Sequence, residues 1–219
     1  MIKENVKKLL AEIPPVNKYG EKITVVGATK TRTVEEINIA ISAGLTDIGE
    51  NKAQEFRDKF PLVLPCNYHF FGNLQKNKIK YLIGKACLIQ SVGDIGIAEE
   101  ISRQSVNAGI ETAILLEVNQ GEEQKGGFSF EEVLPAFRKI SAMQNVKIKG
   151  IMTVLPIADE KIPEKCLQTR KLYDILKLEN NDISILSMGM SADYKEAIEA
   201  GSNMIRVGHA IFGKRDYEL

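Results

Sequence analysis

Eight times along its 219 residues the sequence sets a short apolar, β-branched run against an amphipathic stretch with helical spacing. The runs fall at about 22–30 (KITVVGATK), 45–50 (LTDIGE), 67–72 (NYHFFG), 86–91 (ACLIQS), 112–119 (TAILLEVN), 146–154 (VKIKGIMTV), 183–189 (ISILSMG) and 203–208 (NMIRVG). One more helical stretch, about 3–13, precedes the first run. Strands that alternate with helices bury both faces in a parallel sheet with right-handed crossovers. Eight such units in this length are close to a minimal closed (β/α)8 barrel. The competing open, doubly wound sheet calls for a G-x-G-x-x-G turn after its first strand, and GATKTRT does not supply one. The pattern therefore predicts an α/β chain forming one (β/α)8 TIM barrel domain over residues 1–219, with an extra N-terminal helix.

Helix boundaries support the same reading. Thr33 with Glu36 and Ser129 with Glu132 match the capping box, in which each side chain satisfies the other residue's free backbone N–H. Val34, Ile37 and Ile41 follow at the spacing of a core-facing stripe. Ala43-Gly44, Ala108-Gly109 and Ala200-Gly201 each close a helical stretch shortly before a strand.

Charge and cysteine content bear on partners. The 29 basic residues balance the 29 acidic ones, so neither nucleic acid nor an anionic membrane is expected to bind through a whole-surface field. Any anion site has to be local. No apolar run approaches the roughly 20 residues that span a bilayer, and MIKENVKKLLAEI lacks a signal-peptide core. Cys66, Cys87 and Cys166 are scattered and odd in number, which favours free thiols in a cytoplasmic protein.

Sites in such barrels form where strands end at their C-terminal edge. The residues there are polar: Lys30, Glu50-Asn51, Asn73, Gln90-Ser91, Asn119, Thr153, Ser191 and Arg206. Lys30 ends an apolar strand, on the face of Val26 and Ala28. Inside a barrel its ammonium would be disfavoured and the amine made nucleophilic; the plain alternative is a lysine curling into solvent. Arg206 shares a face with Met204 and Gly208, and an inward guanidinium needs an acceptor, either a structural carboxylate or a ligand. Met188-Gly189-Met190-Ser191 before a helix, and Val207-Gly208-His209-Ala210 after the last strand, offer backbone N–H groups and a hydroxyl to an anion. An amine, an arginine and an anion cradle together suit an aldehyde that carries a phosphate and a ring acceptor, as pyridoxal 5′-phosphate (PLP) does. A sugar phosphate held as a Schiff base would meet two of these requirements. His69, set among aromatic residues, reads as a satisfied core histidine, and Lys76, Lys78, Lys80 and Lys85 as a solvated face.

At these residues the sequence resembles the pyridoxal phosphate homeostasis protein family, single-domain barrels related to the alanine racemase N-terminal domain. The matching segments are Ala28-Thr29-Lys30-Thr31, Gly49-Glu50-Asn51 with Gln54-Glu55, and His69 through Lys78. They continue with Lys125-Gly126-Gly127, Lys149 through Thr153, Ser187 through Ser191, and Ile205 through Gly213. The resemblance implies that Lys30 forms the internal aldimine with PLP and that Arg206 faces the pyridine nitrogen. It also implies that Ser191, Gly208 and His209, with neighbouring Met190, hold the phosphate while Asn51 lines the pocket. His209 is a departure, since the family places a small hydroxyl residue or an acid there. Lys76 is a milder one.

Racemases of related fold bring a second base, a tyrosine, on a C-terminal β-domain. This chain ends at Leu219, and strong racemase activity is not expected. An arginine against the pyridine nitrogen points the same way, because it favours an unprotonated ring that stabilises a carbanion less well. The expectation is a monomeric protein that binds, buffers and delivers PLP to PLP-dependent apoenzymes, with a weak PLP-dependent amino-acid racemase as the alternative. No metal is expected, because neither histidine has partners at metal-ligand spacing.

Overall fold

Eight strands pair in chain order, all parallel, and the last closes on the first. They are β1 (Thr24–Ala28), β2 (Asp47–Glu50), β3 (Asn67–Phe70), β4 (Leu88–Val92), β5 (Thr112–Val118), β6 (Val146–Thr153), β7 (Ile185–Ser187) and β8 (Met204–Val207). The computed structural model describes residues 1–122, 126–156 and 159–213. Among them α1 (Ile2–Glu12) precedes the barrel, and α2 (Val34–Ser42), α3 (Ala53–Lys59), α4 (Ile95–Ala108), α5 (Phe130–Ser141), α6 (Ile162–Glu179), α7 (Tyr194–Ala200) and α8 (His209–Phe212) follow strands. The link between β3 and β4 is a 3-10 turn, Lys76–Tyr81, rather than an α-helix. Its two exposed lysines, Lys76 and Lys80, flank the buried Ile79, in keeping with a solvated face.

Both capping boxes are present. Thr33 Oγ1 accepts from the Glu36 N–H at 3.2 Å and the Glu36 carboxylate returns a bond to the Thr33 N–H at 2.9 Å, and Ser129 with Glu132 does the same. Gly44, Gly109 and Gly201 take φ of 112°, 65° and 107°, as the helix endings required. The strand register separates two apolar layers. Val26, Leu88, Leu115, Met152 and Met204 pack inside the barrel, and a larger cluster including Ile37, Ile48, Phe56, Ile101, Ile140 and Tyr173 fills the space between sheet and helices. Alternation along each strand produces this division, since successive side chains point to opposite faces. No described helix is long and apolar enough to cross a membrane.

Away from the strands' C-terminal edge, Glu21 ties the start of the barrel to α6. Its carboxylate takes bonds from Arg170 at 2.7 Å, Lys177 at 3.0 Å and Asn17 at 2.9 Å, and the Arg170 guanidinium lies 3.8 Å from the Tyr19 ring. Burial alone would raise the pKa of Glu21, but these donors outweigh it and hold it near 2, below the usual 4.5. Because the folded value is the lower one, the contribution to stability is complete above about pH 4.5 and fades as pH falls toward 2. Glu21→Gln is therefore expected to lower the melting temperature at neutral pH and to flatten the acid limb. Parallel melting curves for both proteins across that limb would contradict it.

Candidate functional site

β1 and β8 are neighbours, with Val26 opposite Arg206 and Gly27 opposite Val207. Lys30, two residues beyond β1, therefore rises at the same rim as the Gly208 turn that follows β8. The loop after β7 completes the enclosure. A cleft of about 530 Å³ opens there, and it brings together Lys30, Met190, Ser191, Arg206, Gly208 and His209, with Ala28, Arg32 and Ala192 completing the lining. Asn51 is not among the described lining residues; its side-chain oxygen is buried without a hydrogen-bond partner among the described residues.

The segment that carries Lys30 is pinned on both sides. Thr29 is buried, and its hydroxyl reaches Glu50 at 2.8 Å and the Gly49 carbonyl at 3.1 Å. The Lys59 ammonium donates to the Thr29 carbonyl at 3.0 Å, to Glu50 at 2.7 Å and to Glu55 at 2.9 Å. Burial raises the pKa of Glu50 despite that ammonium, whereas Glu55, with Lys59 and the Thr31 N–H as donors, is lowered against its own burial. Thr31 itself sits at φ 65°, a region costly for a β-branched residue, and its N–H is held by Glu55 at 3.0 Å. The chain is thus forced to reverse just past Lys30, which leaves the half-buried lysine at the mouth. Thr29 and Glu55 fall in segments that carry the family resemblance, but the part they play with Lys59 was not legible, because the contacts run from the end of β1 to α3.

Arg206 enters the cleft from below. Its Nη1 donates to Ser187 Oγ at 2.6 Å and its Nη2 to the Thr153 carbonyl at 2.8 Å. Neither acceptor is a carboxylate. Burial pushes the guanidinium pKa down to about 10, opposed by the charges of Glu117 and Asp193, so it stays protonated at neutral pH. Two of its five N–H donors are used by these contacts, and the rest remain for a ligand.

The two loops meet across the third side of the cleft. The Gly208 N–H donates to Ser191 Oγ at 3.2 Å, which ties them together. Helix α7 starts at Tyr194, two residues after the start at Ala192 that the sequence suggested, and residues 190–193 form a turn before it. The buried Asp193 closes this turn by accepting from the Met190 N–H at 2.5 Å, and burial raises its pKa. After β8, the first N–H with an acceptor inside the α8 turn is that of Ile211, bonded to the Gly208 carbonyl, so the N–H groups of His209 and Ala210 precede the intrahelical ladder. His209 is exposed, and its N–H lies beside the cleft with no intrahelical acceptor. Arg32 adds a second guanidinium to the lining; its Nη2 is bonded to the Gly213 carbonyl at 2.9 Å. Its position two residues after Lys30 was the available signal for it.

Over residues 2–216 the chain matches the family model described as the alanine racemase N-terminal domain. A pyridoxal phosphate homeostasis protein of Aquifex aeolicus (strain VF5) is 39% identical over 199 residues, covering 88% of this chain and 87% of that protein. The chain belongs to the pyridoxal phosphate homeostasis protein family. A second member, from Synechocystis sp. (strain ATCC 27184 / PCC 6803 / Kazusa), is 32% identical over 216 residues, 95% of this chain and 96% of its own. PipY of Synechococcus elongatus PCC7942, solved with PLP bound, superposes with a TM-score of 0.87 at 26% identity, covering 97% of this chain and all of PipY. Of the segments that carry the family resemblance, Lys30, Met190, Ser191, Arg206, Gly208 and His209 line the cleft, and Lys125 lies outside the described residues.

Proposed function

We propose that this protein binds PLP at the β7–β8–β1 rim, holds it covalently on Lys30, and serves its storage and delivery. The observation that carries the reading is the donor set around one cleft: an amine, a buried guanidinium, a hydroxyl and the backbone N–H groups of the Gly208 turn. Each has a counterpart in PLP, namely the aldehyde, the ring nitrogen and the phosphate. Bound PLP supplies an aldehyde that an amine captures as a Schiff base with loss of water. Lys30 provides the amine and Arg206 donates to the ring nitrogen, while the phosphate is received by the Ser191 hydroxyl, which still accepts from the Gly208 N–H, and by the N–H of His209, flanked by Met190. The turn closed by Asp193 keeps these donors pointed the same way.

An arginine that stays charged gives its proton to the ring nitrogen only as a hydrogen bond, so the ring remains a weak electron sink. The site is therefore suited to holding the cofactor more than to turning over amino acids. PLP-dependent apoenzymes are the proposed recipients, and the protein acts as a monomer. The free thiols Cys66, Cys87 and Cys166 are consistent with a cytoplasmic location. Treating purified protein and PLP with borohydride and digesting it tests the reading. A phosphopyridoxyl group on the Lys30 peptide is expected, and modification spread over surface lysines with none on Lys30 would refute it.

A further inference from the structure

Beneath the cleft, five side chains from five strands form one hydrogen-bonded line through the barrel interior. Arg206 Nη1 meets Ser187 Oγ at 2.6 Å, Ser187 Oγ meets Gln90 Oε1 at 2.6 Å, Gln90 Nε2 meets His69 Nδ1 at 3.1 Å, and His69 Nε2 meets Asp47 at 3.0 Å. All five residues are buried. The line crosses the apolar interior layer, where an unsatisfied polar group is costly, so each member depends on the next.

The direction of every bond follows from chemistry. An arginine only donates, so Ser187 accepts from it and passes its own hydrogen to the Gln90 carbonyl. That orients the Gln90 amide with its N–H groups toward His69 Nδ1 and toward the Met204 sulfur at 3.4 Å. His69 Nδ1 is then an acceptor, and the imidazole carries its proton on Nε2, facing Asp47. With a neutral imidazole, the opposite amide orientation would turn the Nε2 lone pair against a carboxylate. Asp47 also accepts from Thr46 at 2.6 Å and Asn67 at 3.1 Å, and although burial opposes it, these donors lower its pKa. The line therefore runs from a buried cation that touches no carboxylate among the described residues to a carboxylate at its far end.

We infer that Gln90 and His69 are positioning residues that hold the Arg206 guanidinium, through Ser187, in the orientation that presents its remaining N–H groups to the ring acceptor of the bound ligand. The inference rests on the PLP reading above, and its test separates the two. Binding of PLP and of a deaza analogue, with C–H in place of the ring nitrogen, is measured for wild type, Gln90→Met and Gln90→Glu. Gln90→Met keeps the volume but breaks the line, and it is expected to weaken PLP binding about tenfold while leaving the deaza analogue within about twofold. Gln90→Glu keeps an acceptor for Ser187 and, with a second proton drawn onto His69 Nδ1, keeps a hydrogen bond at that link too, so it is expected to restore PLP binding to within about threefold of wild type. Equal losses for both ligands, or no loss of PLP, overturn the inference. Heteronuclear NMR of the His69 imidazole in the unmutated protein adds an arm that needs neither ligand nor variant. A proton on Nε2 is expected, and a proton on Nδ1 alone overturns the line. Failure of the wild-type protein to bind PLP would refute the proposed function, and the NMR arm would then decide the line by itself.

Discussion

Lys30→Ala is expected to abolish the covalent PLP adduct and its Schiff-base absorbance while leaving the fold intact. Loss of the bond should weaken retention by about 100-fold, on the order of 2.7 kcal/mol, because the other donors are on separate elements and keep a non-covalent site. Arg206 is held from β7 and β6, and Ser191 is tied to the Gly208 turn, so neither depends on the lysine. The fold should tolerate the change because Lys30 is half-buried and its neighbours are anchored through Thr29 and Thr31 to Glu50, Glu55 and Lys59. Absorbance titration, borohydride trapping and thermal melting of the variant beside wild type measure all three. An unchanged adduct in the variant would remove Lys30 from its role. A collapse of the melting temperature would mean that the segment 29–31 relies on the lysine side chain after all.

Gly150→Ala is expected to produce the largest loss of stability of any single methyl addition at the site's foundations. Gly150 lies in β6 where the pairing with β5 slips, Ile114 facing Ile148 but Leu115 facing Gly150, so Lys149 is an extra residue. The glycine takes φ 152° there, and a Cβ would stand 1.7 Å from the Ile185 carbonyl oxygen of β7. The obstacle is a backbone atom in the closed sheet and cannot rotate aside. A cost of about 3–5 kcal/mol follows, equivalent to a melting-temperature drop of about 10 °C for a chain of this size. The consequence reaches the cleft, because β6 and β7 carry the Thr153 carbonyl and Ser187 hydroxyl that hold Arg206. Weaker PLP retention should accompany the lower melting temperature. A variant melting within about 2 °C of wild type would show that the sheet can open at this bulge.

The parts of the molecule that obey short-range rules were readable in the chain. Strand alternation, the capping boxes at Thr33 and Ser129, and the glycines that end three helices each involve residues a few positions apart, and all recur in the structure. The rim positions of Lys30, Ser191, Arg206 and Gly208 were readable too, because in a parallel barrel the end of a strand gives away the side it faces. Closure decided what those residues touch. The sequence pointed to a carboxylate or a ligand for Arg206, and the structure supplies a serine 19 residues away and a carbonyl 53 residues away. It placed a helix directly after Ser191, where a turn closed by Asp193 comes first, and it left His69 as a core residue without disclosing the line to Arg206. Contacts across a barrel depend on how strands are staggered around the ring. That stagger is a property of the whole closed sheet, and no local stretch of sequence encodes it.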